Sequence, residues 1–261
     1  MWEPEAKTIA AAAFFLFALG CGERAADASK ELAVQDTASE HQGIHMDTME
    51  SQKEDTIFLY REHTPELYHA IYIEKDRGSS PYAWMTDFSF DEADETAYRE
   101  GLQYFLAQSR RKYHPEPIGL PQYWLPLFPH DGRFVLYAPS DRGNARKRIM
   151  NDSAFVFWYM DGPTPVPILG VDSVDEGTRE LKLMRLEDPT HQPDRLIIHL
   201  LDTVPMMAVF EFVNDPHPHR YFLYTPVENA REFDMVVNYS QNKRSEYKFE
   251  PIDYTKLLGQ R

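Results

Sequence analysis

The chain has 261 residues, 27 Lys and Arg against 42 Asp and Glu, a net charge of −15 and a single cysteine. That acidity excludes the basic footprint nucleic-acid binding requires, so no nucleic-acid partner is expected. One thiol also excludes an internal disulfide framework, leaving core packing as the source of stability.

The first element is an apolar run of eleven residues, Ile9 to Leu19 (IAAAAFFLFAL), followed by Gly20 and Cys21. A run this short, ended by small residues, reads as a secretory signal, since a membrane-spanning helix needs roughly 20 apolar residues. The residues Ala18-Leu19-Gly20-Cys21 resemble the lipobox of bacterial lipoproteins. Gly20 matches the commonest choice of that family, Ala18 and Leu19 depart from it, and Glu3 and Glu5 offset Lys7 where a positive n-region is usual. The resemblance implies a signal peptide over residues 1–20, cleavage before Cys21, and lipid on its thioether and amine. It further implies a protein of the cell envelope anchored to a membrane by lipid. Gly22-Glu23 gives no clear retention signal, which favours the outer membrane in a cell with two.

Residues 22–55 hold nine acids against Arg24, Lys30 and Lys53, with no aromatic residue and few large aliphatics. Such a segment cannot bury enough apolar surface to offset its ordering entropy. Residues 21–55 therefore read as the lipidated cysteine and a disordered acidic tether, spanning about 30 to 35 Å as a flexible coil.

All 15 tyrosines lie beyond that tether, and residues 56–261 suffice for one good-sized core. Leu67 to Glu74 and Tyr82 to Phe88 read as strands around a Gly78-Ser79-Ser80-Pro81 turn. Ser89-Phe90-Asp91-Glu92 fits a capping box, Ala93, Ala97, Tyr98, Leu102 and Phe105 recur at helical spacing, and Pro115 and Pro117 close the segment. The expected helix runs over 91–112. Trp124, Leu125, Leu127 and Phe128 then read as a cover over one end of the main sheet.

From Phe134 onward nine short apolar runs alternate with turn clusters: 134–138, 154–160, 166–171, 180–186, 195–201, 207–213, 220–225, 233–239 and 246–252. Their connections are too short for crossover helices, so the fold class is mostly β (α+β), an antiparallel meander with one long helix. By strand count and order it resembles lipocalin-type barrels, and a two-sheet β-sandwich is the alternative.

The chain carries no nucleophile elbow, P-loop, H-E-x-x-H or C-x-x-C motif, and nothing in it calls for a cofactor. His217 and His219 in Asp215-Pro216-His217-Pro218-His219 are candidate metal ligands, because alternate residues of an extended strand share a side. His191 or His199 would complete such a site, yet two prolines after Asn214 equally make a hairpin tip. His130-Asp131-Gly132 reads as a turn, and the acids from Asp91 to Glu95 as helix-start electrostatics. Arg142, Arg146, Lys147 and Arg148, four cations in seven residues, form a loop able to bind an acidic group. Phe155, Phe157 and Tyr159 alternate with Val156, Trp158 and Met160, giving a strand apolar on both faces.

These readings point to a membrane-anchored, non-enzymatic envelope lipoprotein that binds a small apolar ligand or a partner protein. The alternatives are an envelope hydrolase assisted by a metal on His217 and His219, and a structural subunit of an outer-membrane assembly.

Overall fold

The computed structural model describes residues 56–64, 67–108, 117–159, 161–184, 195–213, 220–240 and 245–259. The expected signal and tether, with Cys21, lie outside the described residues.

Eight strands close an antiparallel barrel: β3 (Tyr123–Pro126), β6 (Arg148–Met150), β7 (Ala154–Tyr159), β8 (Gly162–Asp175), β9 (Thr178–Leu183), β10 (Arg195–Leu201), β11 (Met207–Val213) and β12 (Tyr221–Pro226). From β6 to β12 each strand pairs with the next, and β3 shuts the ring between β12 and β6. The meander expected from the turn spacing is thus present. It is interrupted once, where the chain leaves β3 to build part of a second sheet and returns as β6.

That second sheet has the order β1-β2-β13-β5-β4, from β1 (Ile57–Thr64), β2 (Leu67–Glu74), β4 (Phe128–His130), β5 (Arg133–Ala138) and β13 (Met235–Ser240). All its pairs are antiparallel except β13 with β5. Asp131 and Gly132 join β4 to β5 with φ of 48° and 72°, the two left-handed residues of a tight hairpin turn. The runs at 134–138 and 233–239 therefore serve this sheet and not the barrel.

Three readings are corrected. Trp124, Leu125 and Phe128 are not a cover over the sheet: the first two lie in barrel strand β3 and Phe128 opens β4, where pairing with β12 and β5 makes strands of them. Tyr82 to Phe88 is not a strand: α1 (Ser80–Thr86) starts there, with Pro81 preset for the first helical turn. Its Tyr82 and Met85 are buried between the two sheets. The run at 246–252 is not a strand and pairs with none among the described residues. It lies across the outer face of the second sheet, with Tyr247 and Phe249 against Tyr137 and Phe128, and the Tyr247 N–H donates to the Tyr137 hydroxyl at 2.9 Å.

The long helix is α2 (Glu92–Gln108), and the expected residues 109–112 lie outside the described ones. Asp91, not Ser89, caps it: Asp91 Oδ1 accepts from Asp94 N at 2.8 Å. Ser89 is engaged elsewhere, giving its N–H (2.9 Å) and hydroxyl (2.6 Å) to Asp87 Oδ1.

Helix α2 lies along the first half of β8, where Pro163, Pro165 and Pro167 alternate. Ile168 N donates to Ser153 O at 3.0 Å, so alternation turns the three proline nitrogens to the opposite edge. Pairing with β9 begins only at Ile168, so the missing donors fall where no ladder needs them.

Core residues divide by strand alternation. Trp124, Phe155, Phe210, Tyr224, Leu196 and Ile198 fill the barrel, with Trp124 and Phe210 ring centroids 5.1 Å apart. Phe105 from α2 and Ile118 join them at the end carrying the β6–β7 turn, where Ile118 N reaches Asp152 Oδ1 at 3.4 Å. The outward residues Leu125, Val156, Val209 and Leu223 pack instead on Leu136, Met235 and Val237 of the second sheet.

Candidate functional site

The connection from β5 to β6 carries three of the four clustered cations, Arg148 opens β6, and the connection is held at both ends. Asp141 opens its 3-10 turn (Arg142–Ala145), accepting from Gly143 N at 3.1 Å, and Arg146 at φ 52° swings the chain into β6. From the far side the Glu246 carboxylate accepts from Ser140 N (3.3 Å), Ser140 Oγ (3.2 Å), Asp141 N (3.2 Å), Asn144 Nδ2 (3.1 Å), Asn238 Nδ2 (3.2 Å) and the Tyr137 hydroxyl. Burial alone would raise the Glu246 pKa, but the bonds from Tyr137, Asn144, Asp141 and Ser140 overcome it and hold the group below its ordinary value.

The four cations do not gather at one point. Lys147 turns outward under α1 and is only 6% exposed. Its Nζ donates to Asp87 O and to Trp84 O (3.4 Å), the carbonyls at the end of α1. It lies 4.6 Å from the Trp158 ring centroid, 4.7 Å from Phe88 and 5.9 Å from Trp84. Burial pushes its pKa down to about 8, against the opposing pull of Asp87 and Asp94. Arg142 stacks over Trp84 from outside, at 5.3 Å. Between them opens a pocket of about 260 Å³, walled by Trp84, Trp158, Tyr159 and Gly143, with Arg142 and Lys147 as its cations and Asp141, which also caps the 3-10 turn, as its one acid among the described residues.

Arg146 and Arg148 belong to the barrel end instead. Arg146 is exposed with its guanidinium 5.7 Å from the Phe222 ring, and Arg148 lies 4.8 Å over Phe157 inside the barrel. No carboxylate forms an ion pair with any of the four among the described residues, whereas Arg77, Arg133, Lys182, Arg195 and Arg220 each meet one.

A buried ammonium and a stacked guanidinium between aromatic walls favour a planar anionic group, because a charge pair is stronger where water is excluded. Sequence reasoning found the cations but missed Trp84 and Phe88, whose run was read as a strand.

The candidate metal ligands His217 and His219, like Cys21, lie outside the described residues. His199 sits on the barrel wall with Nε2 3.2 Å from Glu211 Oε2, and among the described residues no three His, Cys, Asp or Glu side chains converge on a metal position. Asp91 to Glu95 serve the start of α2, as expected. No helix among the described residues is long and apolar enough to cross a membrane. In comparisons with known proteins, the chain matches no family model, no curated protein and no solved structure.

Proposed function

We propose that the chain is a lipid-anchored, non-enzymatic binding protein of the bacterial cell envelope, tethered through Cys21 and contacting an anionic group of its ligand or partner at the turn Arg142–Arg148. The lipobox resemblance supports the anchor. One observation carries the binding surface: on an acidic chain, four clustered cations form no ion pair among the described residues, and two of them line an aromatic pocket that Asp141 also borders. The filled barrel interior directs this reading to the turn and away from a deep cavity.

Two measurements test it. Labelled palmitate is incorporated by the wild-type chain and not by Cys21→Ser, which leaves the membrane fraction; retained label overturns the anchor. Benzoate, a planar carboxylate, quenches Trp84 and Trp158 fluorescence saturably, and Arg142→Ala weakens it about tenfold, the worth of one charge-assisted contact. A response that does not saturate, or is unchanged in Arg142→Ala, overturns the pocket.

A further inference from the structure

We propose that Arg148 anchors a second ligand site, at the barrel end where β7 turns into β8, which takes the carboxylate of a short amphipathic acid. This rests on the reading of the chain as a binding protein, but not on the pocket beside Lys147.

Arg148 shares the inward face of β6 with Met150, a residue of the barrel interior, and its register partners Trp124 and Phe157 face the same space. It is 6% exposed. Of its five donors, Nη1 reaches Lys147 O at 2.8 Å, while Nε is buried and has no hydrogen-bond partner among the described residues. A buried guanidinium with an idle donor and, among the described residues, no ion pair is an expensive arrangement unless an anion completes it. Tyr224, an ionisable group of the interior that interacts with Arg148, does not supply that charge, since burial raises its pKa and keeps the phenol neutral.

The shape of the end restricts what fits. Trp124, Phe155 and Phe210, all fully buried, fill the barrel beside Arg148, so the proposed ligand reaches no deeper than the guanidinium. Phe157 and Phe222, both half-buried, and Tyr159, 49% exposed, line the approach, and Arg146 stands over Phe222 as a second cation. A planar carboxylate reaching Arg148 first uses the fork geometry of the guanidinium, and a short apolar body remains against the phenyl rings.

The test is calorimetric titration of the full chain in detergent with hexanoate, with hexan-1-ol as the uncharged control, in wild type and Arg148→Met. Hexanoate binds saturably, hexanol at least tenfold more weakly, and Arg148→Met loses at least tenfold in hexanoate affinity. Ligand-free Arg148→Met melts at the same temperature as wild type or higher, since an unpaired buried charge has gone. Absence of hexanoate binding, or equal binding by Arg148→Met, overturns the site. A lowered melting temperature in Arg148→Met also overturns it, by revealing that a group of the chain itself already stabilises the guanidinium. If benzoate still quenches when hexanoate fails, only this site falls; loss of both responses removes the proposed binding function as well.

Discussion

Lys147 and Arg148 are consecutive in the chain, yet their charges lie on opposite sides of one barrel wall, Lys147 against Trp158 outside and Arg148 against Phe157 inside. Trp158 and Phe157 are themselves consecutive on β7, the strand paired with β6. The alternation of a β-strand thus sorts both the cations and their aromatic partners, and one cationic turn serves two separate surfaces.

The outward member of the pair makes stability depend on pH in an unusual direction. The Lys147 pKa falls from an ordinary 10.5 to about 8 in the fold, so between those values the unfolded chain binds more protons and stability rises with pH. The gain reaches about 2 kcal/mol by pH 9.5. Tyr72 and Tyr254, pushed up to about 12 by burial, and Tyr82, Tyr137 and Tyr224, also raised by burial, act the other way as pH approaches about 10, where unfolded tyrosine ionises, and trim part of that gain. Urea unfolding at pH 7 and pH 9.5 is expected to show a net rise in wild type and a slight fall in Lys147→Met. An equal rise in both would remove Lys147 as its source.

Glu246 gives the opposite dependence. With its pKa held below the ordinary carboxylate value, it contributes stability that is full above pH 4.5 and lost as pH falls through the lowered value. Glu246→Gln keeps the shape but replaces one acceptor oxygen with a donor that faces the N–H groups of Ser140 and Asp141 or the amides of Asn144 and Asn238. The expected cost at pH 7 is about 1 to 2 kcal/mol, since the network is only part-buried and partly screened by solvent. The variant should also show a shallower loss of stability on acidification, and a fall in the urea midpoint under a tenth would show that the carboxylate is dispensable.

Strands β7, β10, β11 and β12 are legible in the sequence because each is a long apolar run set off by turn residues. β3 and β6 are not, having four and three residues, one with a terminal proline and the other starting on an arginine that points into the barrel. Their strand character comes from neighbours, β3 from β12 and both from each other. α1 is hidden for a related reason: its aromatic run suits a strand, and packing of Tyr82 and Met85 between the sheets decides for helix. The site was half legible. Charge density flagged Arg142 to Arg148, but the aromatic groups around Lys147 come from about 60 positions earlier, at Trp84 and Phe88, a proximity only the fold creates.

Gly101 offers a test of how α2 is held on the barrel. It sits inside the helix, where Ala is intrinsically better by about 1 kcal/mol, so propensity alone expects Gly101→Ala to stabilise. A Cβ at this position, however, would lie 2.9 Å from Pro165 Cδ and 3.2 Å from its Cγ. The proline ring cannot swing aside as a flexible side chain would, because Pro165 is buried in β8 opposite Val156. The helix must therefore lift, loosening Phe105 in the barrel end and Tyr98 over the interlayer core. Overpacking of this kind typically costs about 1 to 3 kcal/mol, enough to outweigh the propensity gain. Gly101→Ala is accordingly expected to lower the melting temperature by a few degrees, and the double variant Gly101→Ala with Pro165→Ala to recover part of that loss by removing the ring. A single variant that melts above wild type would mean that α2 and β8 are not in firm contact, and the close approach of helix to strand would lose its explanation for the glycine.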